Sequence, residues 1–217
     1  MKNSQEEEAD YCFGAEAPWV DRLFDSGLVR RGHFRLPDGS HAPLAFSRRR
    51  LCRVPRALYG AAEIICQAAT SVEFDVVAAT GGSGLALARA VGDVAVRPSV
   101  GLPRPIWPFQ SKPGNGLNPY ALNAYEGRRA MLVETVTTGG DGLRALVHAC
   151  ERGGVYISAV IILMARVPLA PGVLRPETQG FIPLVRTIYS DRLTQLTWQA
   201  DACQMCRVGL APLRRAD

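Results

Sequence analysis

The chain has 217 residues, 47% of them hydrophobic, enough for one substantial core with a small appendage. Its net charge of +5, from 25 Lys and Arg against 20 Asp and Glu, suits small polyanions, and no basic stripe interleaved with aromatics points to nucleic acid. No apolar run is long enough to span a membrane, and six cysteines behind an acidic start (Glu6, Glu7, Glu8), unlike a signal peptide, read as reduced thiols in a cytoplasmic protein.

Residues 1–15 read as an acidic, disordered lead, and 16–217 as a single domain. Trp19, Val20, Leu23 and Phe24 have helical spacing, with Gly27 as a stop. Arg31 to His41 alternates around Pro37-Asp38-Gly39-Ser40, a turn between hairpin strands. Arg48-Arg49-Arg50 follows as a basic strand edge. Residues 55–69 carry a helical apolar repeat, and 74–79 form a buried strand. Thr80 to Gly84 is a glycine-rich turn, with a helix over 85–91. Val94 to Pro98 suggests a short strand ending at Arg97. Residues 99–121, rich in proline and glycine, form an irregular loop, the kind that is functional or disordered.

Ala130-Met131-Leu132-Val133 reads as a buried parallel strand with Glu134 at its carboxyl end. Thr135 to Gly140 then turns into a helix with apolar positions 143, 146, 147 and 150. Strand, Thr/Gly turn and helix in that order build an anion cradle. The glycines admit a phosphate to the backbone, the amides of the helix's first turn point at it, and hydroxyls add donors. Neither GxxxxGK[ST] nor GxGxxG is present, which excludes the ordinary nucleoside-triphosphate and dinucleotide loops. Residues 155–164 form a strongly apolar strand closed by Arg166, and 181–189 a final strand pair or edge.

At residues 131–140 the sequence resembles the type I phosphoribosyltransferases, whose signature is a hydrophobic strand, two acidic residues, two apolar residues and Thr-Thr-Gly-Gly. Here the acidic positions are Val133 and Glu134, the apolar pair Thr135 and Val136, and the rest Thr137, Thr138, Gly139 and Gly140. The resemblance implies an α/β fold with a central, mostly parallel sheet flanked by helices. It also implies that Glu134 holds the ribose of phosphoribosyl pyrophosphate (PRPP), with Thr135 to Asp141 around its 5′-phosphate. Val133 departs from the pattern by one carboxylate, so Val133→Asp is expected to tighten PRPP binding or raise turnover. Thr80, Gly81 and Gly82 match the family's pyrophosphate turn, Arg97 or Arg104 its basic residue after the next strand, and Lys112, the only lysine besides Lys2, its catalytic loop lysine. The family's Lys-x-His-Gly loop pattern is absent.

A second likeness is to orotate phosphoribosyltransferases, in Gly32-His33-Phe34-Arg35-Leu36 and Gly39-Ser40-His41. It implies a hood over about 27–50 above a core of about 55–190. Phe34, Arg48, Thr138 and Arg166 are then the acceptor-binding candidates. Arg48 stands where those enzymes place an orotate-contacting lysine; a guanidinium can grip a carboxylate at two points but does not equal a lysine. His33 and His41 read as structural. The tail's Cys203-x-x-Cys206 also matches some of those enzymes. Read alone, it leaves structural thiols, a metal or redox chemistry open, and no metal ligand is assigned. A closed zinc site needs four ligands, and Cys12, Cys52, Cys66, Cys150 and His148 lack matching spacing.

The implied activity is transfer of ribose 5-phosphate from PRPP to a base, orotate above others, with Mg²⁺ as cofactor and a homodimer as the assembly. A homologue using another acceptor, or a PRPP sensor without turnover, are the competing expectations.

Overall fold

A computed structural model describes residues 18–36, 39–95, 106–107, 124–166, 184–189 and 197–213, together with 169, 174 and 176. The acidic lead over 1–15 lies outside the described residues. In chain order the elements are α1 (Pro18–Asp25), β1 (Val29–Arg35), β2 (His41–Phe46), α2 (Arg48–Arg53), α3 (Pro55–Ala68), β3 (Val76–Ala79) and α4 (Gly81–Ala95). They continue with β4 (Ile106–Trp107), β5 (Arg129–Thr137), α5 (Asp141–Arg152), β6 (Tyr156–Ala165) and β7 (Leu184–Tyr189). A 3₁₀ turn at Ala200–Ala202 and α6 (Gln204–Arg207) close the tail.

Two sheets result. The larger has the order β4-β3-β5-β6-β7, every neighbouring pair parallel. Its strands are near-continuous apolar runs because both faces are covered. Met131 and Val133 of β5 enter a cluster with Leu23 of α1, Ile65 of α3 and Leu87 of α4. Ala130 and Leu132, pointing the other way, join Leu143, Leu146 and Val147 of α5. The smaller sheet is the β1–β2 antiparallel hairpin, the hood. Its turn is closed by the Leu36 amide bonding the Ser40 carbonyl at 2.7 Å, with Gly39 at φ 86°.

Five local expectations are corrected. Thr135 to Thr137 continue β5 instead of turning, because they keep pairing with β6, Val136 opposite Met164 and Thr137 opposite Ala165. Arg48 to Arg50 open a helix instead of a strand edge, because the Ser47 hydroxyl caps it by accepting from the Arg50 amide at 3.2 Å. Val94 and Ala95 end α4 instead of starting a strand, since Val94 extends its apolar face against the main cluster. The helix after β3 begins at Gly81, and a Cβ on its buried Gly84 would come within 3.1 Å of the Ala79 Cβ, so this glycine permits close helix–strand approach. Within the irregular stretch, Ile106–Trp107 pairs with β3 as a sheet edge. No helix among the described residues is long and apolar enough to cross a membrane.

Candidate active site

β3 and β5 pair in parallel with Ala79, the last residue of β3, opposite Val133, and β5 continues beyond it to Thr137. β3 passes through Thr80 into α4, whose first residues are Gly81 and Gly82, and β5 runs into the glycine turn that opens α5, so both connections face one crevice, where open α/β sheets bind ligands. Glu134 sits at its centre, nearly buried. The Thr80 hydroxyl donates to its Oε2. The Thr135 amide donates to Oε1 at 2.7 Å and the Thr135 hydroxyl at 3.2 Å. Burial pushes the Glu134 carboxyl above the usual carboxylate range, while these donors and the Arg48 guanidinium pull the other way. Thr80 also lies 3.8–3.9 Å from where a Cβ on Gly142 would stand, and Ser83 Oγ is 3.5 Å from Thr135 Oγ1. One carboxylate and three hydroxyls therefore line the seam between the turns.

In the second turn, Gly140 is the N-cap of α5 at φ 82°, a left-handed conformation that glycine adopts without strain. Its amide is taken by the turn itself, donating to Thr137 Oγ1 at 2.9 Å. An anion therefore has to use the other amides. Among the described residues no side chain caps the start of α5. Thr138 and Gly139 are exposed, and a Cβ on Gly139 would meet nothing within 4 Å, nor would one on Gly81 or Gly82. The outer side of the turn is open to a phosphate.

The remaining candidates divide. Arg48 is exposed at the start of α2, near enough to Glu134 to act on its charge. Arg166 is buried at the end of β6; its amide bonds the Thr137 carbonyl at 2.9 Å and its guanidinium donates to the Leu44 carbonyl of β2 at 3.1 Å, tying crevice to hood. Phe34 is buried in the hood's own cluster with Leu36, Ala42 and Ala45. Val136 is half-buried against the main core, and Asp141 is exposed and paired with Arg144 along the helix. Arg97, Arg104 and Lys112 lie outside the described residues. Val133 is fully buried in the main cluster. The expectation that Val133→Asp repairs the ribose site is revised accordingly, because the new carboxylate would enter the core.

A cleft of about 420 Å³ opens elsewhere, lined by Arg30, Ser47, Arg49, Arg50 and Arg53 among others, and includes no residue of either turn. One constellation escaped sequence reasoning. His33, His41, Cys203 and Cys206 converge, with all four ligand atoms within 4.8 Å of one another. Two of the chain's three histidines bracket the hairpin turn eight residues apart, the one signal that could have paired them with the tail's CxxC.

No protein-family model matches the chain. It is 27% identical over 172 residues to the orotate phosphoribosyltransferase of Thermococcus gammatolerans, covering 77% of this chain and 87% of that one. Among solved structures, it resembles Mycobacterium tuberculosis orotate phosphoribosyltransferase in complex with PRPP, with TM-score 0.53 and 22% identity, covering 77% of this chain and 94% of that one. Adenine phosphoribosyltransferase from Thermoanaerobacter pseudethanolicus gives TM-score 0.55 and 16% identity, covering 78% and 98% respectively. The fold is that of the type I phosphoribosyltransferases.

Proposed function

We propose that this chain uses its phosphoribosyltransferase fold to transfer ribose 5-phosphate from PRPP to orotate, giving orotidine 5′-monophosphate and pyrophosphate. The observation that carries this reading is Glu134, a nearly buried carboxylate at the mouth of two glycine-bearing turns. Relatives named orotate phosphoribosyltransferase support the acceptor.

The chemistry follows from positioning. The ribose hydroxyls donate to Glu134, whose orientation is set by Thr80 and Thr135. The 5′-phosphate lies against the free amides of the second turn and the start of α5, and pyrophosphate against the Thr80–Gly82 turn. The ring nitrogen of orotate bonds to the anomeric carbon as the bond to the pyrophosphate oxygen breaks, and the nitrogen's proton is lost. No protein nucleophile is needed; fixed geometry and charge complementarity lower the barrier.

The oxygen-only lining of Glu134, Thr80, Ser83 and Thr135 fits a hard cation such as Mg²⁺, which would be held mainly by the substrate. When bound, Mg²⁺ supplies charge neutralisation for the departing pyrophosphate.

The test is pyrophosphate release from PRPP with orotate, adenine and other bases supplied singly. Orotidine 5′-monophosphate from orotate alone is the expected result. PRPP binding without release for any base would make the chain a sensor, and no PRPP binding at all would end the reading.

A further inference from the structure

We propose that His33, His41, Cys203 and Cys206 form a closed structural zinc site that staples the C-terminal tail to the hood. His33 comes from β1 and His41 from β2, on one face of the hairpin. The cysteines come from the cap and body of α6, and the contacts they make with the histidines span 165 to 173 residues of chain.

Four of the six distances between the ligand atoms lie close to the edges of a zinc tetrahedron, and all four atoms fall within 4.8 Å of one another. His33 Nε2 is 3.1 Å from His41 Nδ1, 3.3 Å from Cys203 Sγ and 3.8 Å from Cys206 Sγ. Cys206 Sγ is 3.3 Å from His41 Nδ1. Zinc bonds of about 2.0–2.1 Å to nitrogen and about 2.3 Å to sulfur require tetrahedron edges of roughly 3.3–3.8 Å. Hydrogen bonding explains the arrangement less well. A single imidazole nitrogen has one proton or one lone pair, yet three polar atoms crowd His33 Nε2. One cation among the four atoms satisfies all of them at once.

The surrounding residues agree. The Leu210 carbonyl, 2.7 Å from His33 Nδ1, can only accept, so Nδ1 carries the proton and Nε2 turns its lone pair inward. Such outer partners orient metal-binding histidines. His33, His41 and Cys203 are buried and only Cys206 reaches the surface, so the ion would be enclosed by protein. Two thiolates and two imidazoles suit zinc, whereas Mg²⁺ prefers oxygen.

The tail already brackets the hairpin. Trp198 exchanges two backbone bonds with His41, at 2.7 and 2.8 Å, and the Leu213 amide bonds the His33 carbonyl at 2.7 Å. The metal closes this bracket over one hairpin face, while Phe34 and Ala42 bury the other. Binding converts both thiols to thiolates and releases two protons to solvent.

Metal analysis of the purified chain is expected to find about one zinc per chain. Cys206→Ser should abolish it, and Cys52→Ser, at an exposed cysteine outside the cluster, should retain it. Chelation should lower the melting temperature and added Zn²⁺ restore it, while Co²⁺ should show thiolate charge-transfer absorption. If Cys206→Ser fails to fold, metal content and chelation of the wild-type chain still decide. The proposal is overturned if the chain holds no zinc and Zn²⁺ leaves its melting temperature unchanged. A Cys203–Cys206 disulfide in the intact mass, another metal in place of zinc, or zinc retained by Cys206→Ser would overturn it equally.

Discussion

The parallel sheet and the hood hairpin solve the burial problem in different ways. Each face of the sheet is covered by apolar helices, and β5 sends alternate residues into two separate clusters. The hood has a small cluster of its own, Phe34, Leu36, Ala42 and Ala45, and sends Val29, Leu44 and Phe46 into the main cluster. A two-stranded hairpin is marginal alone, so the hood borrows stability from elsewhere. Arg166 bonds it to the end of β6, backbone pairs tie it to the tail, and the His/Cys constellation faces its other side. The lesson is that the two halves share one core but differ in what they add to it. The sheet rests on hydrophobic packing at both faces, whereas the hairpin adds polar fastenings to the packing of Val29, Leu44 and Phe46 against the main cluster.

Val133→Asp should break the first half most severely. Placing an unpaired carboxylate in the main cluster costs about 3–5 kcal/mol, read as a large drop in urea midpoint with no gain in PRPP affinity. Glu134→Gln separates binding from folding. Losing a charged acceptor worth roughly 1.5–3 kcal/mol should weaken PRPP binding about tenfold to hundredfold by calorimetry, while the chain stays folded. Arg166→Met acts on the link between the halves. It removes a buried donor to Leu44, costing about 1–3 kcal/mol, and should speed hydrogen exchange in β2 more than in β5.

Gly139→Val is the control for the phosphate. Its Cβ has open space, so stability should change by no more than about 0.5 kcal/mol, but PRPP affinity should fall because the side chain fills the anion's approach. Smallest is a pH effect at Glu134. Its raised folded pKa means that the protonated form is favoured in the fold, so its stability contribution is present below the ordinary carboxylate range. That contribution is lost as pH rises through the raised value. PRPP affinity should run the other way, failing in acid earlier than an unperturbed carboxylate would allow. Glu134→Gln should flatten both profiles.

Local patterning was read correctly where burial and turn chemistry agree within one stretch. The hairpin around Gly39 and the helix from Pro55 form as their residues dictate, and the strand from Met131 forms too but runs on through Thr137, into the stretch that its Thr and Gly content marks as a turn. Misreadings arose where a neighbour in space outweighed the local signal. The Ser47 cap turned three arginines into a helix, and packing against the core carried α4 past Val94. The side of the sheet that Val133 faces followed from which helices cover it, which a four-residue apolar run does not specify.

By itself, then, the amino-acid order determined the strand–turn–helix units and their capacity to hold a phosphate, because spacing, glycine and hydroxyl donors act over a few residues. Only the tertiary structure decided which side chains share a site. Thr80 meets Glu134 because β3 pairs with β5. The tail's two thiols meet the hairpin's two imidazoles because Trp198 and Leu213 dock on either side of the hairpin. Contacts between residues so far apart in the chain depend on the packing of whole elements, and no local spacing records them.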